Sequence, residues 1–291
     1  MSDTHAHDHG LAHDLPKMLG RRRLLALIGG LGLGTVPALR ASAACVALPW
    51  ETAGPYPADG SNSKSGQVVN ALAQEGILRE DLRPSFGGFG GEAEGVPLEL
   101  ELTLLAADGC TPLAGHAVYV WHCNATGLYS LYDETGANWL RGLGVADEAG
   151  KVRFTTIVPG CYDGRWPHIH FEVFETAGAA VSGEASLLTA QIAVPETEAA
   201  AVYGDDARYS NGTRNLGRIT IPSDNVFGDN SEAEIAQQTL AMAGSPAEGY
   251  SGTVAIPVDF DADRSSAMPA PPPGGFGGDM PPPQGARPQA D

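Results

Sequence analysis

The stretch LELELTL, residues 98–104, places leucine at every second position. Because side chains two apart on a strand share a face, this alternation predicts a strand with one buried and one solvated face. Further short β-rich runs are HAVYVWHC (116–123), KVRFTTIV (151–158), HIHFEVF (168–174), TAQIAVP (189–195), GRITIP (217–222) and GTVAIPVDF (252–260). Turn-forming clusters separate them. We therefore predict an all-β fold, a β-sandwich of mostly antiparallel strands with long loops.

Residues 231–244, with the sequence SEAEIAQQTLAMAG, fit two kinds of secondary structure. Ser231 and Glu234 have the spacing of a capping box, which predicts the start of a helix. The end of this segment also fits the first arm of a hairpin whose second arm ends at Phe260. Both interpretations stay open at this point.

Residues 1–43 have the features of a twin-arginine export signal. The arginines 21–23 precede a 13-residue apolar stretch, and Ala41-Ser42-Ala43 has the form of a signal-peptidase site. The apolar stretch is too short to cross a bilayer as a stable helix. We expect the signal to be removed and the protein to be secreted, either extracellular or associated with the cell surface. A lipoprotein alternative, in which Cys45 is lipidated, also stays open.

The two ends of the chain delimit one candidate domain. Residues 263–291 are rich in proline and glycine and nearly lack aliphatic side chains, which predicts a disordered tail. The folded domain is therefore expected to span residues 44–262. Loss of residues 1–43 removes five of 17 basic and three of 35 acidic residues, leaving a formal net charge of −20. This charge argues against nucleic acids and anionic membranes as partners.

Four cysteines remain after removal of the signal, at positions 45, 110, 123 and 161. An even number of cysteines in an exported protein predicts two disulfides, for which three pairings exist. A cysteine-rich metal site is the alternative, but no Cys-x-x-Cys spacing is present. The residues alone do not decide among the three pairings.

The segment GCYDGRWPHIHFEVF, residues 160–174, contains the candidate site. His168 and His170 are two apart in a run that is otherwise typical of a strand, so both imidazoles face the same way. Tyr162 lies in the turn before this strand, and Tyr129 follows the VWHC run across a turn at Gly127. Two imidazoles side by side are most simply explained as metal ligands, and two surface histidines on a half-exposed strand are the alternative for the His-x-His pair taken alone.

Two tyrosines together with two histidines have a specific chemical meaning. A phenol has a pKa of about 10, so it binds a metal well only if that metal is acidic enough to displace its proton. Two phenolates and a hydroxide would neutralise Fe(III), and two neutral imidazoles would complete its ligand shell. Zinc or copper would favour thiolate and imidazole ligands instead.

The motifs TAGPYP (52–57), GLYS (127–130) and GCYDGRWPHIHFEV (160–173) resemble those of the intradiol ring-cleavage dioxygenases. These non-haem Fe(III) enzymes include catechol 1,2-dioxygenases and protocatechuate 3,4-dioxygenases, and the resemblance covers roughly residues 48–175. It implies that catechol-type rings are cleaved between their two hydroxyls by O₂, giving muconic-type diacids. The secreted branch of the family is the nearest match, because an export signal is predicted here.

By position, the resemblance implies four iron ligands, Tyr129, Tyr162, His168 and His170. In the family, the tyrosine at the position of Tyr162 leaves the iron when substrate binds and is a candidate catalytic base. Arg165 matches an arginine that lies over the substrate and stabilises charge on its ring. The residue types alone would make Arg165 a surface cation or an ion-pair partner.

The resemblance also suggests a wall for the substrate pocket and a pairing for the cysteines. Pro55 and Tyr56 match a stretch that lines the mouth of the active site, although this Pro-Tyr-Pro turn could equally be structural. The resemblance favours disulfides Cys45–Cys123 and Cys110–Cys161. His122 is a candidate for supporting a metal ligand through a hydrogen bond, but a hydrogen-bonded core histidine is the favoured interpretation.

Several alternatives stay open. The chain lacks the helical N-terminal segment of catechol dioxygenases, and its interval from Tyr162 to His168 is shorter than in protocatechuate enzymes. The oligomeric state is therefore open, with a homodimer among the options, and so is the identity of the catechol. The expected partners are a small aromatic diol and O₂. The rival functions are a secreted β-sandwich module that binds a metal or ligand without turnover, and an iron-holding redox or storage protein.

Overall fold

The computed structural model of the protein describes residues 45–262. The predicted export signal at 1–43 and the predicted tail at 263–291 lie outside the described residues. Ten strands are present in this part of the chain, β1 Asp59–Lys64, β2 Gln67–Asn70, β3 Pro97–Ala106, β4 Ala117–Trp121, β5 Arg141–Val145, β6 Lys151–Ile157, β7 His168–Phe174, β8 Leu188–Ala193, β9 Ala241–Ser245 and β10 Gly249–Val258. Its helices are α1 Ala177–Ser182, α2 Glu196–Asp205, α3 Gly212–Leu216 and α4 Glu232–Gln238, with a 3₁₀ turn at Ile221–Ser223.

Two four-stranded sheets form the body of the domain, which confirms the predicted β-sandwich. One sheet has the strand order β6-β3-β10-β9 and the other β5-β4-β7-β8, while β1 and β2 form a separate hairpin. All pairings are antiparallel except that of β3 with β10, which is parallel. The leucines of the 98–104 stretch are all buried in the core that both sheets share, as the alternation predicts.

The second sheet is buried on both of its faces. Along β7, Ile169, Phe171 and Val173 enter the core shared with the first sheet. The opposite face of the same sheet is covered by a second apolar cluster that includes Trp121 and Tyr129. A polar side chain on this covered face of β7 is therefore held away from bulk water.

Two predictions about secondary structure need comment. The run GRITIP (217–222) is not a strand, because Thr220 and Ser223 form a capping box around a 3₁₀ turn that contains Pro222. The ambiguous segment 231–244 contains both predicted structures in succession. Ser231 caps α4, and the chain then enters β9, which pairs with β10 as a hairpin.

The predicted cysteine pairing is wrong. Cys45 is bonded to Cys110, while Cys123 and Cys161 are free and buried. The reason is that the chain just after Cys45 lies along the end of β10, where the Leu48 amide donates to the Pro257 carbonyl at 3.2 Å. β10 ends beside β3, whose following turn contains Cys110. The sulfur of Cys45 is therefore not available for the lipid thioether of the lipoprotein alternative.

The disulfide closes a loop with a sequence separation of 65 residues. In the chain-entropy description, a loop of this length restricts the unfolded state by about 4 kcal/mol, and measured gains are commonly about 2–4 kcal/mol. We expect the double variant Cys45→Ser/Cys110→Ser to lose that amount of unfolding free energy in urea titrations. A reductant should destabilise the wild type and leave the double variant unchanged. Equal sensitivity of both proteins would contradict the assignment.

No helix among residues 45–262 has the length and apolar character that a membrane span requires.

Candidate metal centre

β7 places His168 and His170 on its covered face, where both side chains are almost completely buried. The Nε2 atoms of the two imidazoles lie 3.0 Å apart. Nδ1 of His168 lies 2.5 Å from the carbonyl oxygen of Trp166, which can only accept a hydrogen bond. The Nδ1 atom therefore carries the proton, and Nε2 of His168 presents its lone pair to the centre of the cluster.

Tyr162 reaches this pair from the turn before β7, with its hydroxyl 3.1 Å from Nε2 of His168. Tyr129 comes from the loop between β4 and β5, and its ring centroid lies 6.0 Å from that of Tyr162 and 6.2 Å from that of His170. The Tyr129 hydroxyl is buried and has no hydrogen-bond partner. An unpaired buried hydroxyl is costly, so a partner of another kind is expected at this point.

The two tyrosine loops pack directly against each other at Gly127. This glycine has a φ of +86°, and a Cβ atom at this position would lie 2.9 Å from Cβ of Tyr162. Only glycine combines that backbone conformation with so close an approach. Asn124 shapes the same loop by accepting hydrogen bonds from the amides of Thr126 and Leu128 at 3.0 and 2.9 Å. The sequence around Gly127 therefore determines how closely Tyr129 approaches Tyr162.

Burial controls the protonation of all four side chains. Burial raises the pKa of both phenols well above the ordinary value of a phenol, so Tyr129 and Tyr162 keep their protons unless a cation replaces them. Burial, together with the charge of Arg165, lowers the pKa of His168 and His170, so both imidazoles are neutral. Neutral imidazoles and displaceable phenol protons are the states that a metal requires.

His170 is enclosed by its neighbours on two sides. The indole of Trp121, its cross-strand partner, stacks on the imidazole with centroids 4.9 Å apart and planes inclined by 6°. On another side, a Cβ atom at Gly54 would lie 3.4 Å from Cε1 of His170, and Gly54 has a φ of +71°. The backbone of the TAGPYP segment therefore packs closely against the His170 imidazole at Gly54.

Arg165 lies beside the cluster in an extensive set of hydrogen bonds. Its Nε donates to Oδ2 of Asp224 at 2.9 Å, and its Nη2 donates to Oε1 of Gln191 at 2.7 Å and to Oδ1 of Asp224 at 3.3 Å. Its charge acts on Tyr162, whose pKa burial raises and Arg165 lowers. Arg165 is thus an ion-paired cation next to the phenols.

Arg141 is a second arginine near the cluster, and its side chain is almost completely buried. Its Nε donates to Oγ of Ser130 at 3.1 Å and its Nη2 to the Ser130 carbonyl at 3.0 Å. Its Nη1 donates to the Pro57 carbonyl at 2.9 Å and to the Tyr119 hydroxyl at 3.2 Å. Arg141 therefore joins the loop of Tyr129 to the TAGPYP segment.

The two predicted pocket residues differ in their surroundings. The Tyr56 ring packs at a tilt between Tyr129 and Tyr132, with centroid separations of 4.9 and 5.0 Å, and so forms one wall of the cluster. Pro55 is exposed to solvent.

The ring of His122 contacts Thr156 Oγ1 and the Cys123 carbonyl at 2.7 and 2.8 Å, which makes it a hydrogen-bonded core histidine.

Among residues 45–262, no three histidine, cysteine or carboxylate side chains come together in a way that could hold a metal ion. A metal at the Tyr129–His170 cluster would therefore depend on the phenols as well as the imidazoles. The structure brings together the four side chains that the sequence singled out, and their role as ligands stays a prediction.

Three polar residues near the site were not predicted from the sequence. Gln191 could have been suspected, because it is a polar residue in the otherwise apolar run TAQIAVP. Asp224 precedes a turn whose Val226 and Phe227 amides donate to its side chain at 2.8 and 3.1 Å, a local pattern that does not indicate Arg165 as a partner. Arg141 is the first residue of β5 and carries no pattern of its own.

Glu51 supports the covered face of the second sheet from within the same network. Its Oε2 accepts the Gln191 amide at 2.8 Å, and its Oε1 accepts Nδ2 of Asn230 at 2.8 Å and Nε2 of Gln238 at 2.7 Å. Burial raises the pKa of Glu51 to about 7, although these hydrogen bonds lower it. Because this value exceeds that of the unfolded chain, the stabilisation by Glu51 exists at low pH and is lost as the pH rises through about 7.

We expect this loss to be measurable between pH 6 and pH 8. The unfolding free energy of the wild type should fall by about 1 kcal/mol more than that of Glu51→Gln over this interval. Denaturant titrations at several pH values measure the difference. The exposed Glu248→Gln is the control and should follow the wild type. Parallel pH curves for wild type and Glu51→Gln would contradict the assignment.

Comparisons with known proteins agree with the fold. A family model described as "Dioxygenase" matches residues 80–180. Catechol 1,2-dioxygenase 1 of Acinetobacter lwoffii is 34% identical over 98 residues, which cover 33% of this chain and 29% of that protein. Catechol 1,2-dioxygenase of Acinetobacter baylyi is 34% identical over 137 residues, or 46% of this chain and 40% of that protein.

The fold has a counterpart among solved structures. An intradiol ring-cleavage dioxygenase from Tetranychus urticae superposes with a TM-score of 0.57 at 20% identity, covering 76% of this chain and 98% of that chain. The solved structure therefore shows a shared fold, while the family model and the two curated relatives show that part of this chain is similar in sequence to dioxygenases. The chain spans less than half the length of the two curated relatives it matches.

Proposed function

We propose that the protein is an exported intradiol dioxygenase that holds ferric iron on Tyr129, Tyr162, His168 and His170. It would cleave catechol-type rings between the two hydroxyl-bearing carbons, and both atoms of O₂ would enter the diacid product. The observation that carries this proposal is the buried Tyr129 hydroxyl, which has no hydrogen-bond partner. Its ring lies next to the ring of Tyr162 and the imidazole of His170.

The donor set fits a hard trivalent cation. Two phenols in a buried site lose their protons only to a strongly acidic metal, and two neutral imidazoles add no charge. Cys123 and Cys161 are free, but their sulfurs point to the carbonyls of Gly160 and Arg165, at 3.4 and 3.5 Å. A soft metal that prefers thiolates therefore finds no ligands there.

Residues around the cluster would have separate roles in proton transfer, charge stabilisation and exclusion of water. With iron bound, the Tyr162 oxygen, 3.1 Å from Nε2 of His168, would be a phenolate and could accept the proton of a diol hydroxyl. The guanidinium of Arg165 provides positive charge next to the phenols, where negative charge on the substrate would develop. The Tyr56 ring and the Gly54 backbone cover the cluster and limit the access of water.

When bound, ferric iron supplies Lewis acidity, which draws electron density from a chelated diol so that the ring reacts with O₂. Export is supported by the Arg21–Arg23 cluster and the Ala41-Ser42-Ala43 site, and the Cys45–Cys110 disulfide suits an oxidising compartment. The twin-arginine route carries folded proteins, which would allow iron to be loaded before export.

The test is a turnover assay on the iron-loaded protein with catechol under air. We expect one O₂ to be consumed for each catechol, and the product to be cis,cis-muconate. Cleavage beside the hydroxyls would give a yellow semialdehyde instead. That product, or the absence of O₂ uptake by protein with a full complement of iron, would contradict the proposed function.

A further inference from the structure

The two histidines of the cluster differ in how their second ring nitrogen is bound. Nδ1 of His168 lies against the Trp166 carbonyl, whereas Nδ1 of His170 is buried and has no hydrogen-bond partner among residues 45–262. Nε2 of His170 points at Nε2 of His168, so a metal at this cluster would take Nε2 and leave the ring proton on Nδ1. A metal-ligating histidine almost always donates that proton to an oxygen. An acceptor for the Nδ1 proton of His170 is therefore expected nearby.

Two side chains that flank His170 do not supply this acceptor. Trp121, which stacks on the imidazole, has only an indole N–H, which is a donor. Gln191, the cross-strand neighbour on β8, accepts Nη2 of Arg165 with its Oε1 and donates through Nε2 to the Thr52 carbonyl. The Gln191 oxygen is therefore already committed to Arg165.

Glu172 is the next side chain on the same face of β7. Its Oε1 accepts Oγ1 of Thr189 at 3.1 Å, while its Oε2 is buried and has no hydrogen-bond partner in the described part of the chain. An unpaired buried carboxyl oxygen is costly, as is an unpaired ring nitrogen. The unpaired Oε2 of Glu172 and the unpaired Nδ1 of His170 thus belong to neighbouring side chains.

One water molecule fits the separation between Glu172 and His170. Residues two apart on a strand have Cα atoms about 6.6 Å apart, and a single water joins polar atoms that are up to about 5.5 Å from each other. Both side chains are buried, and the Gly54 backbone packs against His170, so a water between them is shielded from bulk solvent. Such a water would satisfy both unpaired atoms at once.

We propose that Glu172 is a positioning residue for His170. Its Oε2 is hydrogen-bonded to a buried water, and this water accepts the Nδ1 proton of His170. The imidazole is thereby held in the tautomer and orientation that direct Nε2 at the metal. This inference rests on the proposed function, because it takes His170 as a ligand. Glu172 touches neither the metal nor the substrate and acts only through the imidazole.

Variants at Glu172 separate hydrogen bonding from packing. Glu172→Leu fills a similar volume without either oxygen, whereas Glu172→Gln keeps an oxygen that can bind water. We expect iron-loaded Glu172→Leu to release its iron at a chelator concentration about 10- to 100-fold below that needed for the wild type. Glu172→Gln should stay close to the wild type. Glu175→Leu, at an exposed position just beyond β7, is the matched control and should equal the wild type.

Nuclear magnetic resonance of the gallium-loaded protein measures the tautomer itself, since Ga(III) is a diamagnetic, hard trivalent ion. We expect a slowly exchanging Nδ1 proton on His170 in the wild type and in Glu172→Gln, and its loss through rapid exchange in Glu172→Leu. The Nδ1 proton of His168, which the Trp166 carbonyl holds, should persist in all three proteins. A merely structural role of Glu172 would change stability without this selective loss.

Folded Glu172→Leu that keeps its iron like the wild type and shows both Nδ1 protons would overturn the inference. Equal losses in the Leu and Gln variants would also overturn it, because the charge of Glu172 would then matter and the hydrogen bond would not. If Glu172→Leu does not fold, a crystal structure of the wild type decides. We expect a water within about 2.7–3.2 Å of both Nδ1 of His170 and Oε2 of Glu172. A structure that shows other buried waters and none at this point would contradict the inference.

Failure of the proposed function would have a different signature. A protein that binds neither iron nor gallium at the cluster would contradict the proposed ligands themselves. Metal retention that does not depend on Glu172 would contradict only its role in positioning His170. The two failures are therefore distinguishable.

Discussion

Replacement of Tyr162 by phenylalanine is expected to lower kcat for catechol by about 100-fold or more while the protein stays folded and still binds iron. The change removes one phenol oxygen, which lies 3.1 Å from Nε2 of His168, and leaves the ring in place. Under the proposed function, the substrate would lose its proton acceptor and the metal would lose one of two phenolates. Steady-state kinetics and the visible spectrum of the iron-loaded variant measure the two effects.

Tyr203→Phe is the matched control for this substitution. Tyr203 is also buried, and its hydroxyl donates to the Pro159 carbonyl at 2.8 Å, away from the cluster. Loss of that hydrogen bond should cost about 1 kcal/mol of stability and leave the visible spectrum and kcat unchanged. A Tyr162→Phe enzyme with wild-type turnover would show that the phenol oxygen is not part of the reaction.

Arg165→Gln is expected to lower kcat/KM for catechol by about 100- to 1,000-fold, since one oriented charge next to a developing anion is worth that much. The visible absorption band of the iron-loaded protein should persist, because Arg165 is not among the four predicted ligands. The substitution also leaves the Asp224 carboxylate buried without its ion-pair partner, which should destabilise the fold by about 3–5 kcal/mol.

The double variant Arg165→Gln/Asp224→Asn separates these two effects. It replaces the ion pair by two neutral amides, so most of the stability should return while the loss of kcat/KM persists. Thermal unfolding and steady-state kinetics on the same preparations provide the comparison. Recovery of both properties in the double variant would mean that Arg165 acts only through stability.

The strands could be predicted where the pattern is local. The leucine alternation of residues 98–104 and the His-x-His pair on β7 both depend on the two-residue period of a strand. This period can be recognised from neighbouring positions in the sequence. The run GRITIP has the same β-rich composition, but Pro222 and the Thr220–Ser223 capping box turn it into a 3₁₀ element. Composition alone does not distinguish these outcomes.

Contacts between distant segments were less accessible from the sequence. The expectation that Tyr129 meets the β7 histidines came from the family resemblance, because it requires the loop between β4 and β5 to fold back over the sheet. The cysteine pairing was wrong because it depends on the parallel pairing of β3 with β10, which brings Cys45 to Cys110. Asp224 lies 59 residues from Arg165, and no periodicity connects them.

Iron on two phenolates is most directly tested by the visible absorption spectrum of the purified mature protein, measured together with its metal content. We predict about one iron per chain and a broad visible band from charge transfer between tyrosinate and Fe(III), which Tyr203→Phe should retain and Tyr162→Phe should alter. A colourless protein that carries stoichiometric zinc or copper would contradict the assignment of the four ligands and the dioxygenase function with it.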